Sequence, residues 1–120
     1  SLLEEDASKI MNVIKGHKNP YMTISFDVKK KYEDKISAAV HPFDKTCRPQ
    51  FVSKKYNLEY YNLIKEFKKI TKIGVLLNTS FNLHGEPIVF TPQDAIKSFM
   101  KSGLEYLYIG NYLVTKVNKK

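Results

Sequence analysis

With 120 residues, 42% of them hydrophobic, the chain is long enough to bury one core and form a single domain without disulfide bonds. Its one cysteine, Cys47, excludes an internal disulfide and fits a reducing cytoplasm, and no apolar run reaches the roughly 18 residues of a membrane span. The net charge of +8 is concentrated in residues 28–72, where twelve Lys or Arg stand against five Asp or Glu, and it suits nucleic acid or a phosphate-bearing small molecule.

The N-terminal part of the chain predicts a helix followed by a strand. The helix covers residues 4–15, with acids in its first turn and Gly16 as its stop. Its inner face consists of Ile10, Val13 and Ile14. Asn19-Pro20 breaks the chain, and alternation over residues 21–28 then predicts a strand. One side of that strand carries Met22, Ile24 and Phe26.

The basic middle segment predicts two more strands and a long helix. Residues 29–35 form a charged connection with a helical turn, and strands at 36–41 and 48–52 flank a turn at 42–47. Asn57 caps a helix that runs to about Lys72. The predicted inner stripe of this helix is Tyr60, Leu63, Ile64, Phe67 and Ile70, and its solvated outer side carries Lys65, Lys68, Lys69 and Lys72.

The C-terminal part predicts a buried strand, a helix and a strand pair. Val75 to Leu77 is apolar at three successive positions, as in a strand buried on both faces. Thr91-Pro92-Gln93-Asp94 starts a helix that runs to about Ser102, with Gly103 as a left-handed stop. Strands at 107–109 and 112–114 follow. The expected fold class is therefore α/β, or α+β, with a mixed, twisted sheet and flanking helices.

A polar loop follows the predicted strand at Val75 and carries four small hydrogen-bonding side chains, Asn78, Thr79, Ser80 and Asn82. One interpretation is a tight turn, because Asn, Thr and Ser bond their own backbone in loops. The other is an oxyanion or phosphate site, at which hydroxyls, amides and backbone N–H groups converge on ligand oxygens. The pattern by itself leaves both interpretations open.

A second polar cluster comprises His41, Asp44, Thr46, Arg48 and Gln50. Arg48 is the single arginine among nineteen lysines, and a guanidinium binds phosphate or carboxylate with two parallel hydrogen bonds, as lysine cannot. The alternative is a structural arginine paired with Asp44 across a turn. The histidines are scattered and the cysteine is single, so we expect no metal in this chain.

Four ordered motifs carry a resemblance to a known family. They are Asn19-Pro20-Tyr21-Met22, the polar cluster from His41 to Gln50, the segment from Leu76 to Val89, and Thr91-Pro92-x-Asp94-Ala95. Together they resemble the C-terminal domain of the O-carbamoyltransferases, which include nodulation, cephamycin and tobramycin carbamoyltransferases. The resemblance covers nearly all of residues 1–120.

The resemblance implies a YrdC-like domain whose substrates are carbamoyl phosphate and ATP and whose product is carbamoyl-adenylate. A separate metal-binding N-terminal domain of the same protein would pass the carbamoyl group to a substrate hydroxyl. Carried onto this chain, it implies that Arg48 clamps ligand oxygens beside His41 and Thr46. Asn78, Thr79, Ser80 and Asn82 would form the phosphate cradle. Asp44, Gln50, Gly85 and Glu86 would support them.

The chain departs from the family pattern at two motif positions and at its start. Asn19 stands where the family usually has Ser, and Lys45 stands where a glycine turn is usual. A basic segment that the family carries just upstream is missing before Ser1, which suggests a C-terminal fragment without carbamoyltransferase activity of its own.

The sequence leaves two other functions open. One is an RNA-binding module of YrdC-like fold, motivated by the basic segment; the lysines on one helical face and the lack of alternating aromatic and basic residues along a strand do not favour it. The other is a non-catalytic association domain, in which exposed apolar surface drives formation of a homodimer. No membrane partner is expected.

Overall fold

The computed structural model describes residues 1–117, which group into two compact units. The first unit is Ser1–Asn78, and the second begins at Thr79. Helices and short strands are interspersed along the chain, so the predicted α/β class is confirmed. The predicted single mixed sheet is wrong, because the strands of the described residues form three separate two-stranded sheets.

The first strand, β1 (Leu2–Leu3), leads into a 3-10 turn at Glu4–Asp6 and a short helix, α1 (Ala7–Ile10). The predicted helix to residue 15 is therefore too long. Met11 is already extended, with φ −127° and ψ 164°, and it forms an isolated antiparallel bridge with Val28. Pairing with a distant segment has replaced the next helical turn, leaving Ile14 exposed.

The predicted strand at 21–28 shrinks to β2 (Phe26–Asp27), which pairs antiparallel with β3 (Thr46–Cys47). The reason lies in a tight turn around Asn19, whose side chain is fully buried. Its Oδ1 accepts hydrogen bonds from the backbone N–H and the hydroxyl of Thr23, and its Nδ2 donates to the carbonyls of Ile24 and Pro49. Met22 inside this turn has φ +56°, which no strand allows.

The charged connection contains the expected helical turn, α2 (Lys30–Glu33). The strand predicted at 36–41 is wrong, because Asp34–Ala39 forms a 3-10 helix instead. The backbone N–H of Val40 donates to the carbonyl of Ser37 at 3.2 Å, so this segment satisfies its hydrogen bonds locally. The strand predicted at 48–52 is reduced to β4 (Phe51–Val52), which pairs parallel with β1.

The long helix, α3 (Leu58–Thr71), is confirmed together with its cap: Asn57 Oδ1 accepts a hydrogen bond from the N–H of Tyr60 at 3.0 Å. The predicted inner stripe is rotated relative to the buried face. Tyr61 and Ile64 are buried against Leu3 and Val52 of the paired strands. Three members of the predicted stripe are exposed instead: Leu63 (57%), Phe67 (36%) and Ile70 (82%).

The segment after α3 does not form the strand that the sequence predicts. Val75 makes a single antiparallel bridge with Leu2, and the N–H of Leu76 donates to the carbonyl of Ser1 at 2.9 Å. Leu77 is 63% exposed, so the segment is not buried on both faces. The main core of this unit lies around β1, where the rings of Phe26 and Phe51 stack at 5.6 Å.

The second unit contains α4 (Pro92–Lys101) and a hairpin of β5 (Tyr106–Ile109) and β6 (Tyr112–Thr115), as predicted. Thr91 and Asp94 form a reciprocal capping box at the start of α4. The left-handed stop predicted at Gly103 is wrong. Ser102 ends the helix in an extended conformation, and Gly103 has no positive φ. Within residues 1–117 no helix has the length and apolar character needed to cross a membrane.

Candidate functional site

A cavity of about 60 Å³ in the first unit is lined by residues from both predicted polar clusters. Arg48 contributes from the segment between β3 and β4, and Asn78 contributes from the end of the segment after α3. The rest of the wall is mainly apolar and includes Leu2, Met11, Met22, Ile36, Cys47, Val75 and Leu77. A charged fork and an amide thus meet at a small, largely apolar space.

Gln50 connects these two clusters through its side-chain amide. Its Nε2 donates to the carbonyl of Pro20 at 3.2 Å. Its Oε1 accepts from Asn78 Nδ2 at 3.3 Å and from the hydroxyl of Ser1 at 3.0 Å. Gln50 therefore joins the turn at Pro20 to Asn78, which lines the cavity.

Arg48 is exposed, and no acidic side chain of residues 1–117 forms an ion pair with it. The alternative in which Arg48 pairs with Asp44 is not what the structure contains, since the partner of Asp44 is His41, with 3.2 Å between Nδ1 and Oδ1. The guanidinium is thus free to bind an anion at the cavity.

The turn from His41 to Thr46 is held by hydrogen bonds of its own. Asp44 Oδ1 accepts from the Thr46 N–H at 3.0 Å and from its hydroxyl at 2.8 Å, and these two bonds lower the pKa of Asp44. Lys45 adopts φ +58°, a left-handed conformation that favours glycine. His41 and Thr46 do not line the cavity with Arg48, so the structure does not bring these predicted ligand residues to it.

The rest of the predicted cradle belongs to the second unit and forms a compact turn there. The hydroxyl of Ser80 donates to Asn82 Oδ1 at 2.6 Å, and Asn82 Nδ2 donates to the carbonyls of Leu83 and Glu86 at 3.2 and 2.9 Å. For Asn82, these bonds match the interpretation of the polar loop as a tight turn. Thr79 and Ser80 are exposed on that turn.

The two supporting residues of the second unit also have structural positions. Gly85 has φ +82°, which favours glycine. The carboxylate of Glu86 pairs with Lys101 Nζ of α4 at 2.9 Å. Both residues therefore maintain the turn after Asn82.

The cavity wall includes sulfur-bearing residues that the site prediction omitted. Cys47 Sγ lies 3.6 Å from Met11 Sδ, and burial raises the pKa of this thiol to about 11. Such a thiol is protonated at neutral pH and is not a nucleophile. Met22 belongs to the motif at residues 19–22 that carries the family resemblance. This motif is the sequence signal that could have predicted the position of Met22 at the cavity.

A separate basic groove of about 420 Å³ lies between α3 and the chain near β1. Its walls carry Lys65, Lys68, Lys69 and Lys72 together with Leu3, Glu5 and Tyr61. Lys68 pairs with Asp6 and Lys69 pairs with Glu66, so half of these charges are compensated internally. Within the described residues, no three His, Cys, Asp or Glu side chains form a metal-binding group.

Comparison with known proteins gives one family over almost the whole chain. The family model described as carbamoyltransferase C-terminus matches residues 1–116. An uncharacterised protein of Methanocaldococcus jannaschii is 46% identical over 116 residues, which cover 97% of this chain and 19% of that protein. Nodulation protein NolO of Bradyrhizobium diazoefficiens is 41% identical over 117 residues, covering 97% of this chain and 21% of NolO.

A more distant relative, nodulation protein U of Rhizobium tropici, is 34% identical over 101 residues, or 84% of this chain and 17% of that protein. The chain thus spans about a fifth of the length of the curated relatives it matches.

Proposed function

Because this chain belongs to the carbamoyltransferase C-terminus family, we propose that it contributes a binding site for carbamoyl phosphate and ATP to an O-carbamoyltransferase. One observation carries the proposal: Arg48 and Asn78, which are 30 residues apart in sequence, line one cavity. Arg48 has no acidic partner within residues 1–117, so its hydrogen-bond donors remain free for ligand oxygens.

The proposed reaction proceeds in two steps. Carbamoyl phosphate is hydrolysed to carbamate and phosphate, and a carbamate oxygen then attacks the α-phosphorus of ATP, forming carbamoyl-adenylate as pyrophosphate leaves. Both steps concentrate negative charge on phosphoryl oxygens. The protein accelerates such steps chiefly by positioning the reactants and neutralising that charge. Arg48 is suited to this role because its planar guanidinium binds two oxygens at once.

The other parts of the proposed mechanism rest on the resemblance to the family. We propose that an N-terminal domain of the same protein, which holds a metal, passes the carbamoyl group to a hydroxyl of the acceptor. His41 and Thr46 remain proposed ligand contacts of the first unit, and Thr79, Ser80 and Asn82 remain proposed ligand contacts of the second unit. We also propose a YrdC-like fold for the complete domain and a cytoplasmic location, which the single reduced Cys47 supports.

The experiment is titration calorimetry of carbamoyl phosphate and of ATP with the full-length protein. Arg48→Ala is expected to weaken binding of whichever of these two ligands occupies the cavity. The expected loss is about 10- to 100-fold, because the variant removes charge-assisted hydrogen bonds of about 1.5–3 kcal/mol. Arg48→Lys keeps the charge without the fork and should recover only part of the affinity.

Lys15→Ala is the matched control, since it removes one positive charge from an exposed position that does not line this cavity. Its affinities should equal those of the unaltered protein. Equal affinities of Arg48→Ala and the unaltered protein for both ligands would refute the assignment of Arg48.

A further inference from the structure

The geometry points to Asn78 as a specificity-determining residue. Gln50 orients the side-chain amide of Asn78 so that the carbonyl oxygen of Asn78, and not its NH2 group, faces the ligand. We infer that the cavity selects a ligand group that carries an N–H donor beside its anionic oxygens. This inference rests on the proposed function, because it concerns how the same cavity distinguishes a carbamoyl group from an isosteric acyl group.

The contact with Pro20 fixes the orientation of the Gln50 amide. A backbone carbonyl only accepts hydrogen bonds, so the group of Gln50 that faces Pro20 at 3.2 Å must be Nε2. Its Oε1 then faces the opposite way, where it also accepts from the Ser1 hydroxyl at 3.0 Å. The contact with Pro20 therefore determines that Gln50 offers an acceptor to Asn78.

The orientation of Gln50 in turn fixes the orientation of the Asn78 amide. Its Nδ2 lies 3.3 Å from Gln50 Oε1 and 3.6 Å from Met22 Sδ. Both neighbours are acceptors, and a reversed amide would place Oδ1 against the oxygen of Gln50. The NH2 group of Asn78 is thus engaged by the protein, which leaves Oδ1 as the group available to a ligand.

Met22 provides independent support that this orientation is built into the cavity wall. Its φ of +56° lies in the left-handed region, which costs a non-glycine residue about 1–2 kcal/mol. Strained backbone of this kind persists only where its surroundings hold it, here the turn capped by Asn19. The strained residue presents its thioether to the amide of Asn78.

The chemical consequence follows from the two groups at the cavity. Arg48 offers donors to anionic oxygens, whereas Asn78 Oδ1 accepts a hydrogen bond and repels such oxygens. Asn78 therefore does not belong to a phosphate cradle. It matches the NH2 group of carbamoyl phosphate or carbamate, and it does not match the methyl group of acetyl phosphate, which has nearly the same shape.

The test compares carbamoyl phosphate with acetyl phosphate by titration calorimetry of the full-length protein. The unaltered protein is expected to bind carbamoyl phosphate about 3- to 10-fold more tightly, the range of one neutral hydrogen bond at a partly exposed site. Asn78→Ala should abolish this preference and leave the affinity for acetyl phosphate within about twofold, because no contact to the phosphate is removed.

Gln50 is tested as a positioning residue with two variants. Gln50→Leu removes the acceptor that orients Asn78 and should also abolish the preference. Gln50→Glu retains an oxygen that accepts from Asn78 Nδ2 but loses the donor to Pro20 and adds a negative charge, so it should preserve the preference while binding both acyl phosphates more weakly. Gln93→Leu, at an exposed position of α4, is the control and should match the unaltered protein.

The outcomes separate this inference from the proposed function. Equal binding of the two acyl phosphates by the unaltered protein, or a preference that survives Asn78→Ala, overturns the inference while carbamoyl phosphate binding still stands. Loss of the preference in Gln50→Glu as in Gln50→Leu overturns the orienting role of Gln50. An unaltered protein that binds neither compound overturns both proposals.

Discussion

Asp6 and Lys68, which are 62 residues apart in sequence, form a side-chain ion pair that connects the N-cap of α1 to α3. The Asp6 carboxylate is only 5% exposed, and it also accepts a hydrogen bond from Lys9 Nζ at 3.0 Å. Burial by itself would raise the pKa of Asp6, but the hydrogen bonds and charges of Lys68 and Lys9 outweigh burial and lower it.

This pair predicts acid-sensitive stability. Because the pKa of Asp6 is lower in the folded state, the pair stabilises the protein above the ordinary Asp value of about 3.9, and this contribution is lost as the pH falls through the lowered value. Asp6→Asn should reduce the free energy of unfolding at pH 7 by about 1–3 kcal/mol, and by less in acid. Urea denaturation of Asp6→Asn and of the unaltered protein, at pH 7 and in acid, measures the difference in their free energies of unfolding.

The control for Asp6 is Glu66→Gln, which breaks the exposed pair with Lys69. Exposed pairs contribute little, so this variant should unfold at nearly the same urea concentration as the unaltered protein at both pH values. A loss of stability in Asp6→Asn that is equally large in acid would contradict the proposed role of the ion pair.

Lys45→Gly should stabilise the protein. Lys45 has φ +58°, and glycine adopts this conformation without the steric cost of a Cβ atom. After the larger entropy of glycine in the unfolded chain is subtracted, we expect a gain of about 0.5–1 kcal/mol, measured as a higher Tm. Lys18→Gly, at an exposed position without positive φ, should give no gain. Equal changes in the two variants would contradict this explanation.

The thiol of Cys47 should react slowly with Ellman's reagent in the native protein. Its pKa of about 11 leaves roughly a hundredfold less thiolate at pH 8 than an ordinary cysteine has, and the side chain is buried. The reaction rate should rise at least 100-fold on unfolding in urea. Since the chain has one cysteine, the absorbance change reports this residue alone, and a native rate equal to the unfolded rate would show that the cavity wall is open.

The capping box of α4 gives a prediction for the second unit. Thr91 Oγ1 accepts from the Asp94 N–H at 3.1 Å, and Asp94 Oδ2 accepts from the Thr91 N–H at 3.0 Å. Thr91→Ala should destabilise α4 by about 0.5–2 kcal/mol, seen as faster hydrogen exchange of the helix amides. Asp94→Asn should accelerate exchange as well, and the two changes together should be less than additive because they disrupt one structure.

Gln93→Ala leaves both hydrogen bonds of the box in place and serves as its control. Exchange in this variant should follow that of the unaltered protein. Strictly additive effects of Thr91→Ala and Asp94→Asn would indicate that the two residues act independently.

The elements predicted correctly are those whose determinants are local. Asn57 and Thr91 cap their helices through bonds to residues three positions away, and Gly110, with φ +57°, closes the hairpin between its neighbouring strands. The strand at 36–41 was wrong because a short apolar run suits a strand and a 3-10 helix equally well. The buried face of α3 was misplaced because Leu3 and Val52, far away in sequence, decide which side packs.

The sequence by itself determined the family resemblance, the single arginine and the concentration of positive charge, since these depend only on residue identity and order. Only the tertiary structure decided that Arg48 and Asn78 share a cavity while His41 and Thr46 lie on a separate turn. It also decided the orientation of the Asn78 amide. An amide offers both a donor and an acceptor, so the position of Gln50, 28 residues earlier, is needed to tell which of the two a ligand meets.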